Sequence, residues 1–93
     1  MAANEWTWHS DPGHAWLHVK HEDVVNLGVE DDISRYSYRD GDDVYLEEDR
    51  DAGVFIKEYC SQVGKQWSDI AGDVGVKYHN DDAPCRSFEP YWV

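Results

Sequence analysis

The sequence predicts a small α+β domain in which an antiparallel sheet carries two helices on one face. Three observations predict it: short segments that alternate polar and apolar residues, turn residues between them, and two segments whose apolar side chains have helical spacing. A chain of 93 residues can build one core, so we expect a single acidic domain over residues 1–93. The predicted order of elements is β-β-α-β-β-α-β-β.

The N-terminal part of the chain predicts a β-hairpin followed by a short helix. Residues 5–9, "EWTWH", alternate polar and aromatic side chains, and "SDPG" supplies turn residues before the second strand at 14–19, "HAWLHV". In residues 21–28, "HEDVVNLG", apolar side chains have near-helical spacing behind an acidic first turn, and the segment ends on glycine. This pattern is typical of a short helix with a glycine at its C-terminal end.

The middle of the chain predicts a second hairpin and a longer helix. Residues 33–38, "ISRYSY", alternate, "RDGD" contains an Asp-Gly pair favoured in tight turns, and a strand resumes at 44–47. In residues 51–64, "DAGVFIKEYCSQVG", Asp51 can cap a helix and Gly64 can end it, with apolar residues at helical spacing between them.

The last third of the chain has the weakest pattern. A strand is expected at 74–79. The aromatic alternation of "CRSFEPYWV", residues 85–93, predicts an edge strand, where Pro90 is tolerated because its missing N–H is not needed. These strands complete the predicted antiparallel sheet.

Charge is the strongest compositional signal. The chain has 20 acidic and 8 basic residues and a net charge of −12. Phosphate binding requires a basic surface, so direct binding to nucleic acid is not expected, whereas a basic surface on another protein is a suitable partner. The alternative is that the charge only keeps a small protein soluble.

No segment predicts targeting or membrane insertion. The N-terminus has neither a basic nor an apolar targeting region, and no apolar run is long enough to span a bilayer. We therefore expect no membrane partner and a cytoplasmic location in a host bacterial cell. Cys60 and Cys85 lack CxxC spacing, which favours reduced thiols. No cofactor is expected.

Acidic residues concentrate between residues 30 and 51, where ten carboxylates accompany three arginines. On a hairpin and its flanking turns they can present a basic groove with a surface that mimics DNA. The candidate interface consists of Glu30, Asp31, Asp32, Asp40, Asp42, Asp43, Glu47, Glu48 and Asp49. The alternative is a solvated acidic hairpin in which Asp49 and Asp51 only complement the dipole of the following helix.

Two aromatic residues near the C-terminus are the candidate anchors of this interface. A domain of this size needs most of its aromatic side chains for its core. Tyr91 and Trp92 are expected to be less enclosed. An exposed aromatic side chain beside carboxylates is typical of a protein-interface hot spot.

The segment "WHSDPGHAWLHVKH", residues 8–21, raises the question of a metal site. His14, His18 and His21 are four and three residues apart, a spacing that suits a metal on a helix. On a strand, however, His14 and His18 would lie roughly 13 Å apart. We therefore expect no metal, and we expect the His14 ring to bond the turn or Asp11 and to stack on a neighbouring tryptophan.

The same segment raises the question of a hydrolase. Ser10, Asp11 and His14 are the residue types of a catalytic triad, but triads are assembled from distant segments and no nucleophile elbow surrounds Ser10. Adjacent Glu47 and Glu48 point to opposite faces of a strand, so only Glu47 and Asp49 can converge as a carboxylate pair. We expect no catalytic residues and no enzyme activity.

Three segments carry a resemblance to a family: "SDPGHAWLHV" (10–19), "ISRYSYRDGDDVYLEEDRDAGVF" (33–55) and "RSFEPY" (86–91). They resemble small uncharacterised proteins encoded by tailed phages, prophages and plasmids, and the resemblance is weakest between residues 65 and 84. It implies a phage or mobile-element origin and no particular reaction.

The chain also departs from the family pattern. Arg50 replaces a cysteine of the family, which argues against a shared thiol nucleophile. Ala15 replaces a glycine, and the additional histidines His18 and His21 argue against a shared metal site.

The charge and the resemblance together favour a non-enzymatic inhibitor of a host nucleic-acid-handling defence complex, of the anti-CRISPR or anti-restriction type. Its acidic surface would bind the basic nucleic-acid-binding surface of that complex. Two alternatives stay open. One is a small metal-binding or hydrolytic protein that uses the cluster His9–His21, and the other is a structural module that self-associates, for example as a homodimer.

Overall fold

The computed structural model describes residues 1–92, which form one mixed six-stranded sheet with three helices. The predicted α+β class is confirmed. No helix in this part of the chain is long and apolar enough to cross a bilayer. The strands are Thr7–Ser10 (β1), Ala15–Lys20 (β2), Tyr38–Asp40 (β3), Asp43–Glu47 (β4), Gly75–Tyr78 (β5) and Glu89–Pro90 (β6), and the helices are His21–Asn26 (α1), Asp51–Val63 (α2) and Trp67–Ile70 (α3).

The sheet has the strand order β5-β1-β2-β4-β3-β6. All neighbouring pairs are antiparallel except β1 and β5, which run parallel, so the prediction of a wholly antiparallel sheet is wrong at this edge. The reason is geometric. β1 and β4 share one direction because each is antiparallel to β2, and the helical segment after β4 returns the chain to the end where β4 began. The next strand therefore enters the sheet parallel to β1.

The main core lies on one face of the sheet. Leu17 of β2 pairs with Leu46 of β4, and Val19 pairs with Val44, so these four buried side chains point to the same side. All three helices add apolar side chains to this core, which corrects the predicted number of two helices. These side chains include Val24 from α1, Phe55 from α2 and Ile70 from α3.

A second, smaller cluster lies on the opposite face. Trp16 of β2 is buried there under Ala83 and Cys85, and Cys85 belongs to a short 3-10 helix at Pro84–Ser87, before β6. Side chains of Tyr38, Tyr45 and Phe88 pack around them. The C-terminal segment therefore covers part of this face, and no residue of α1, α2 or α3 belongs to this cluster in the described part of the chain.

The predicted strand at 33–38 is wrong, because most of this segment is a turn. The carboxylate of Asp51, buried at the start of α2, accepts hydrogen bonds from the Ser34 N–H (3.0 Å), the Ser34 hydroxyl (2.6 Å) and the Ser37 hydroxyl (2.5 Å). These bonds bend the chain over the helix start, and extended structure begins only at Tyr38. Side-chain hydrogen bonding has overridden the alternating pattern.

The other predicted elements form close to their expected places. The first hairpin is present, and Gly28 and Gly64, with φ near +74° and +69°, follow the ends of α1 and α2. The predicted closing strand forms only at Glu89–Pro90, on the sheet edge that tolerates a proline. Its last residue, Val93, lies outside the described residues.

Candidate functional site

A groove of about 700 Å³ lies between the start of β2, the end of β4 and the turn that precedes β3. This volume is within the range of ligand sites in proteins. Its lining combines aromatic and charged side chains. They include Trp16, Tyr36, Tyr38, Glu48, Asp49 and Arg86.

Arg86 forms one side of the groove and is held there by Asp11. The guanidinium donates two hydrogen bonds to the carboxylate, from Nε at 2.6 Å and from Nη2 at 3.0 Å. The same guanidinium lies over the Trp16 ring, 4.8 Å from its centroid. The ion pair therefore fixes both the arginine and the C-terminal segment against β2.

Asp11 is the most heavily bonded carboxylate at this end of the molecule. Besides Arg86 it accepts three backbone N–H groups at 2.9 Å, from Gly13, His14 and Ala83. The Arg86 bond, followed by the backbone bonds, holds the pKa of Asp11 far below its usual range. It is the backbone of His14, and not its ring as predicted, that bonds Asp11, while the ring contacts Trp16 at 6.0 Å between centroids.

Asp51 positions the other wall of the groove. Its bonds to Ser34 and Ser37 shape the turn, and Arg50 adds an ion pair at 2.8 Å. The turn holds Tyr36 with 75 % of its surface exposed, at the rim of the groove. Asp51, which the sequence predicts as a helix cap, is thus a buried carboxylate that joins the start of α2 to the turn containing Ser34 and Ser37.

The predicted acidic interface is divided among three segments. Glu30–Asp32 form a short 3-10 turn after α1, residues 40–43 form the turn between β3 and β4, and residues 47–49 begin at the last residue of β4 and line the groove. The backbone N–H of His21 donates to the Asp42 carbonyl at 2.7 Å, so the β3–β4 turn lies against the start of α1. The carboxylates therefore come from three separate segments of the chain.

Two of the predicted interface residues are engaged within the fold. Asp43 Oδ1 accepts hydrogen bonds from Lys20 Nζ at 2.6 Å and His18 Nε2 at 2.8 Å, and the Lys20 bond is the main cause of its lowered pKa. The Glu47 carboxylate accepts the N–H of Asp51 at 3.0 Å at the start of α2. Both side chains stabilise the domain whatever else they bind.

Of the remaining carboxylates, all but the half-buried Glu30 are exposed. Glu48 comes within 3.9 Å of His14, which is charged only when protonated. Five exposed aspartates of the predicted interface form no side-chain hydrogen bond or ion pair within residues 1–92. They are Asp31, Asp32, Asp40, Asp42 and Asp49.

The two predicted aromatic anchors have different environments. Tyr91 is only 8 % exposed, and its hydroxyl donates to the Glu30 carbonyl at 3.1 Å. Trp92 is 47 % exposed, and its indole N–H donates to the Ile33 carbonyl. Of the two, only the Trp92 ring offers a surface to a partner. The sequence did not single out Tyr36 as an anchor. Its side chain is more exposed than that of Tyr91 or Trp92, and it lies within the acidic segment.

Three histidines meet on the uncovered part of the sheet. His9 Nδ1 lies 3.1 Å from His79 Nε2, and the His9 ring lies 5.8 Å from that of His18. The His18 ring in turn stacks on Tyr45 at 4.6 Å. Sequence reasoning grouped His9 and His18 but missed His79, which the parallel β1–β5 pair brings to this place.

His9, at the centre of this group, is expected to make the domain less stable in mild acid. Burial is the main cause that lowers the pKa of His9 from 6.5, and His18, His79 and Lys77 lower it further. Because the pKa of His9 is lower in the folded domain, the unfolded chain takes up the proton at a higher pH than the folded domain does. The stabilisation that comes from neutral His9 is therefore complete above pH 6.5 and is lost as the pH falls through the pKa of folded His9. Titration of the histidine ring protons by NMR checks this, and a His9 pKa at or above 6.5 would contradict it.

The geometry gives no support to the triad considered above. Asp11 is bonded to Arg86 and to backbone N–H groups, so it does not orient the His14 ring. Within residues 1–92, no group of three or more His, Cys, Asp or Glu side chains is placed to hold a metal ion. His21 lies apart from the other histidines, beside Arg39 and Tyr91.

Comparison of the chain with protein-family models, with curated proteins and with solved structures finds no match. We therefore infer function from the charge and the geometry of the surface described above.

Proposed function

We propose that the chain is an accessory protein of a phage or mobile element that binds and inhibits a host nucleic-acid-handling defence complex without catalysing a reaction. One observation carries the proposal: five exposed aspartates between residues 31 and 49 form no ion pair within the described chain, and Glu48 faces only His14. Clustered uncompensated charge steers a protein toward a surface of opposite sign. A basic surface that normally binds phosphates is such a partner.

The fold supports this proposal because it presents the charges on ordered backbone. The turn of residues 40–43 is closed by paired strands, and residues 47–49 lie between β4 and α2. Fixed charges lose little conformational freedom on binding. The phage or mobile-element origin is supported by the resemblance of three segments of the sequence, and the defence-complex target is part of the proposal.

Charge reversal at the uncompensated positions tests the proposal. Lysine at Asp40, Asp42, Glu48 and Asp49 together is expected to weaken association with the host complex by about tenfold or more at low salt, because long-range attraction becomes repulsion. Asp43 and Glu47 are left intact because they bond within the fold. The measurement is quantitative affinity capture from bacterial lysate at low and high salt, with the bound proteins identified by mass spectrometry.

A matched control changes the net charge by the same amount elsewhere. It places lysine at four exposed carboxylates outside the acidic segment, namely Glu5, Glu22, Asp73 and Asp81. The control is expected to retain most of the captured partner, and circular dichroism checks that both variants fold. Equal loss in both variants would show that only net charge matters, and equal retention would refute an acidic interface.

A further inference from the structure

The groove carries more negative charge than its composition suggests. Its two arginines are each compensated by a buried aspartate: Arg50 by Asp51 at 2.8 Å, and Arg86 by Asp11 at 2.6 Å. The aspartate side chains are 0 % and 1 % exposed, so these ion pairs belong to the domain itself. The charge of residues 47–49 on the rim of the groove is therefore balanced by neither arginine, and it favours a cation.

The aromatic side chains of the groove can receive a flat cation. Trp16 already does so within the domain, since the Arg86 guanidinium lies 4.8 Å from its ring centroid. Tyr36 and Tyr38 line the same groove, and no guanidinium of the described chain stacks on either ring. Tyr36 is 75 % exposed. An exposed aromatic ring next to carboxylates attracts a cation in two ways: through the negative face of the ring and through the charge of the carboxylates.

We infer that the groove binds an arginine side chain of the partner protein, stacked on Tyr36 and hydrogen-bonded to Glu48 or Asp49. Arginine fits better than lysine because its planar guanidinium stacks on a ring, is weakly hydrated and can direct two donors at one carboxylate. This inference rests on the proposed function, because it assigns the chemistry by which the acidic surface holds a basic partner.

The inference is tested with a capped Gly-Arg-Gly-Arg-Gly peptide and its lysine and citrulline counterparts. Chemical shifts of the Trp16 indole N–H and of the backbone around Tyr36 are followed by NMR during titration. The arginine peptide is expected to bind at least about threefold more tightly than the lysine peptide, and the uncharged citrulline peptide is expected not to bind. Equal binding of the arginine and lysine peptides, or shifts confined to the β3–β4 turn, would overturn the inference.

A pair of tyrosine variants locates the binding. Tyr36→Ala is expected to lower the affinity for the arginine peptide by about threefold to fivefold. Tyr78→Ala removes a tyrosine that is equally exposed, at 80 %, but lies on β5 outside the groove, and it is expected to change nothing. An unchanged affinity in Tyr36→Ala would refute stacking on this ring.

The two proposals fail in different ways. If the peptides behave alike while host capture still depends on Asp40 and Asp42, the arginine site is wrong and the acidic interface stands. If the arginine peptide binds through Tyr36 while charge reversal leaves host capture unchanged, the groove binds arginine and the proposed function is wrong.

Discussion

Replacing Asp51 with alanine is expected to lower the free energy of unfolding by about 3 kcal/mol, because it removes a fully buried carboxylate on which two chain segments depend. The Ser34 and Ser37 hydroxyls and the Ser34 N–H would lose their acceptor, and Arg50 would lose its ion-pair partner. Urea denaturation followed by tryptophan fluorescence measures the change.

The control for this variant is Asp49→Ala. Asp49 is exposed and its side chain has no partner within residues 1–92, so its loss is expected to change stability by no more than about 0.5 kcal/mol. A milder variant, Ser37→Ala, keeps the test decisive if Asp51→Ala does not fold, and it is expected to cost about 1 kcal/mol. Equal stability of the Asp51 and Asp49 variants would contradict the buried hub.

Replacing Asp11 with alanine is expected to lower the melting temperature by roughly 10–20 °C, since it breaks the ion pair with Arg86 and leaves three backbone N–H groups without an acceptor. Asp82→Ala is the matched control. Asp82 also faces Arg86, at 3.8 Å, but its side chain is 87 % exposed, so its loss is expected to change little.

The ion pair between Asp11 and Arg86 also makes the stability of the domain fall at low pH. The pKa of Asp11 is lowered in the folded state, chiefly by Arg86, so its contribution to stability is complete above the unfolded pKa near 3.8 and is lost as the pH falls toward the folded pKa. Asp11→Ala should therefore unfold with a weaker pH dependence below pH 4 than the parent does. Parallel unfolding curves for the two proteins would contradict the assigned role.

The sequence predicted the elements whose local pattern agrees with their tertiary environment. The first hairpin and helix α2 have matching periodicity, turn residues and terminal glycine. The segment 33–38 was misread because its serines bond to Asp51, which lies outside the hairpin pattern. The parallel pairing of β5 was missed because strand direction depends on the path of the helices between β4 and β5, which local patterns do not report.

The sequence predicted which residues supply the acidic charge of the candidate site, but not which of these side chains bond within the fold. The acidic segment is visible in the sequence, but only the structure shows that Asp43 and Glu47 are bonded within the fold, whereas the Asp42 and Asp49 side chains form no hydrogen bond or ion pair within residues 1–92. Arg86 was quoted as part of a motif, and the structure pairs it with Asp11 of another motif. Such long-range pairs are invisible when each segment is read alone.

Competition with DNA tests whether the acidic surface occupies a nucleic-acid-binding site of the partner. The partner captured from lysate is loaded with labelled duplex DNA, and the parent protein or the four-lysine variant is titrated in. We expect the parent to displace the DNA with a strong dependence on salt and the variant not to displace it. A stable complex of partner, DNA and this protein together would contradict it.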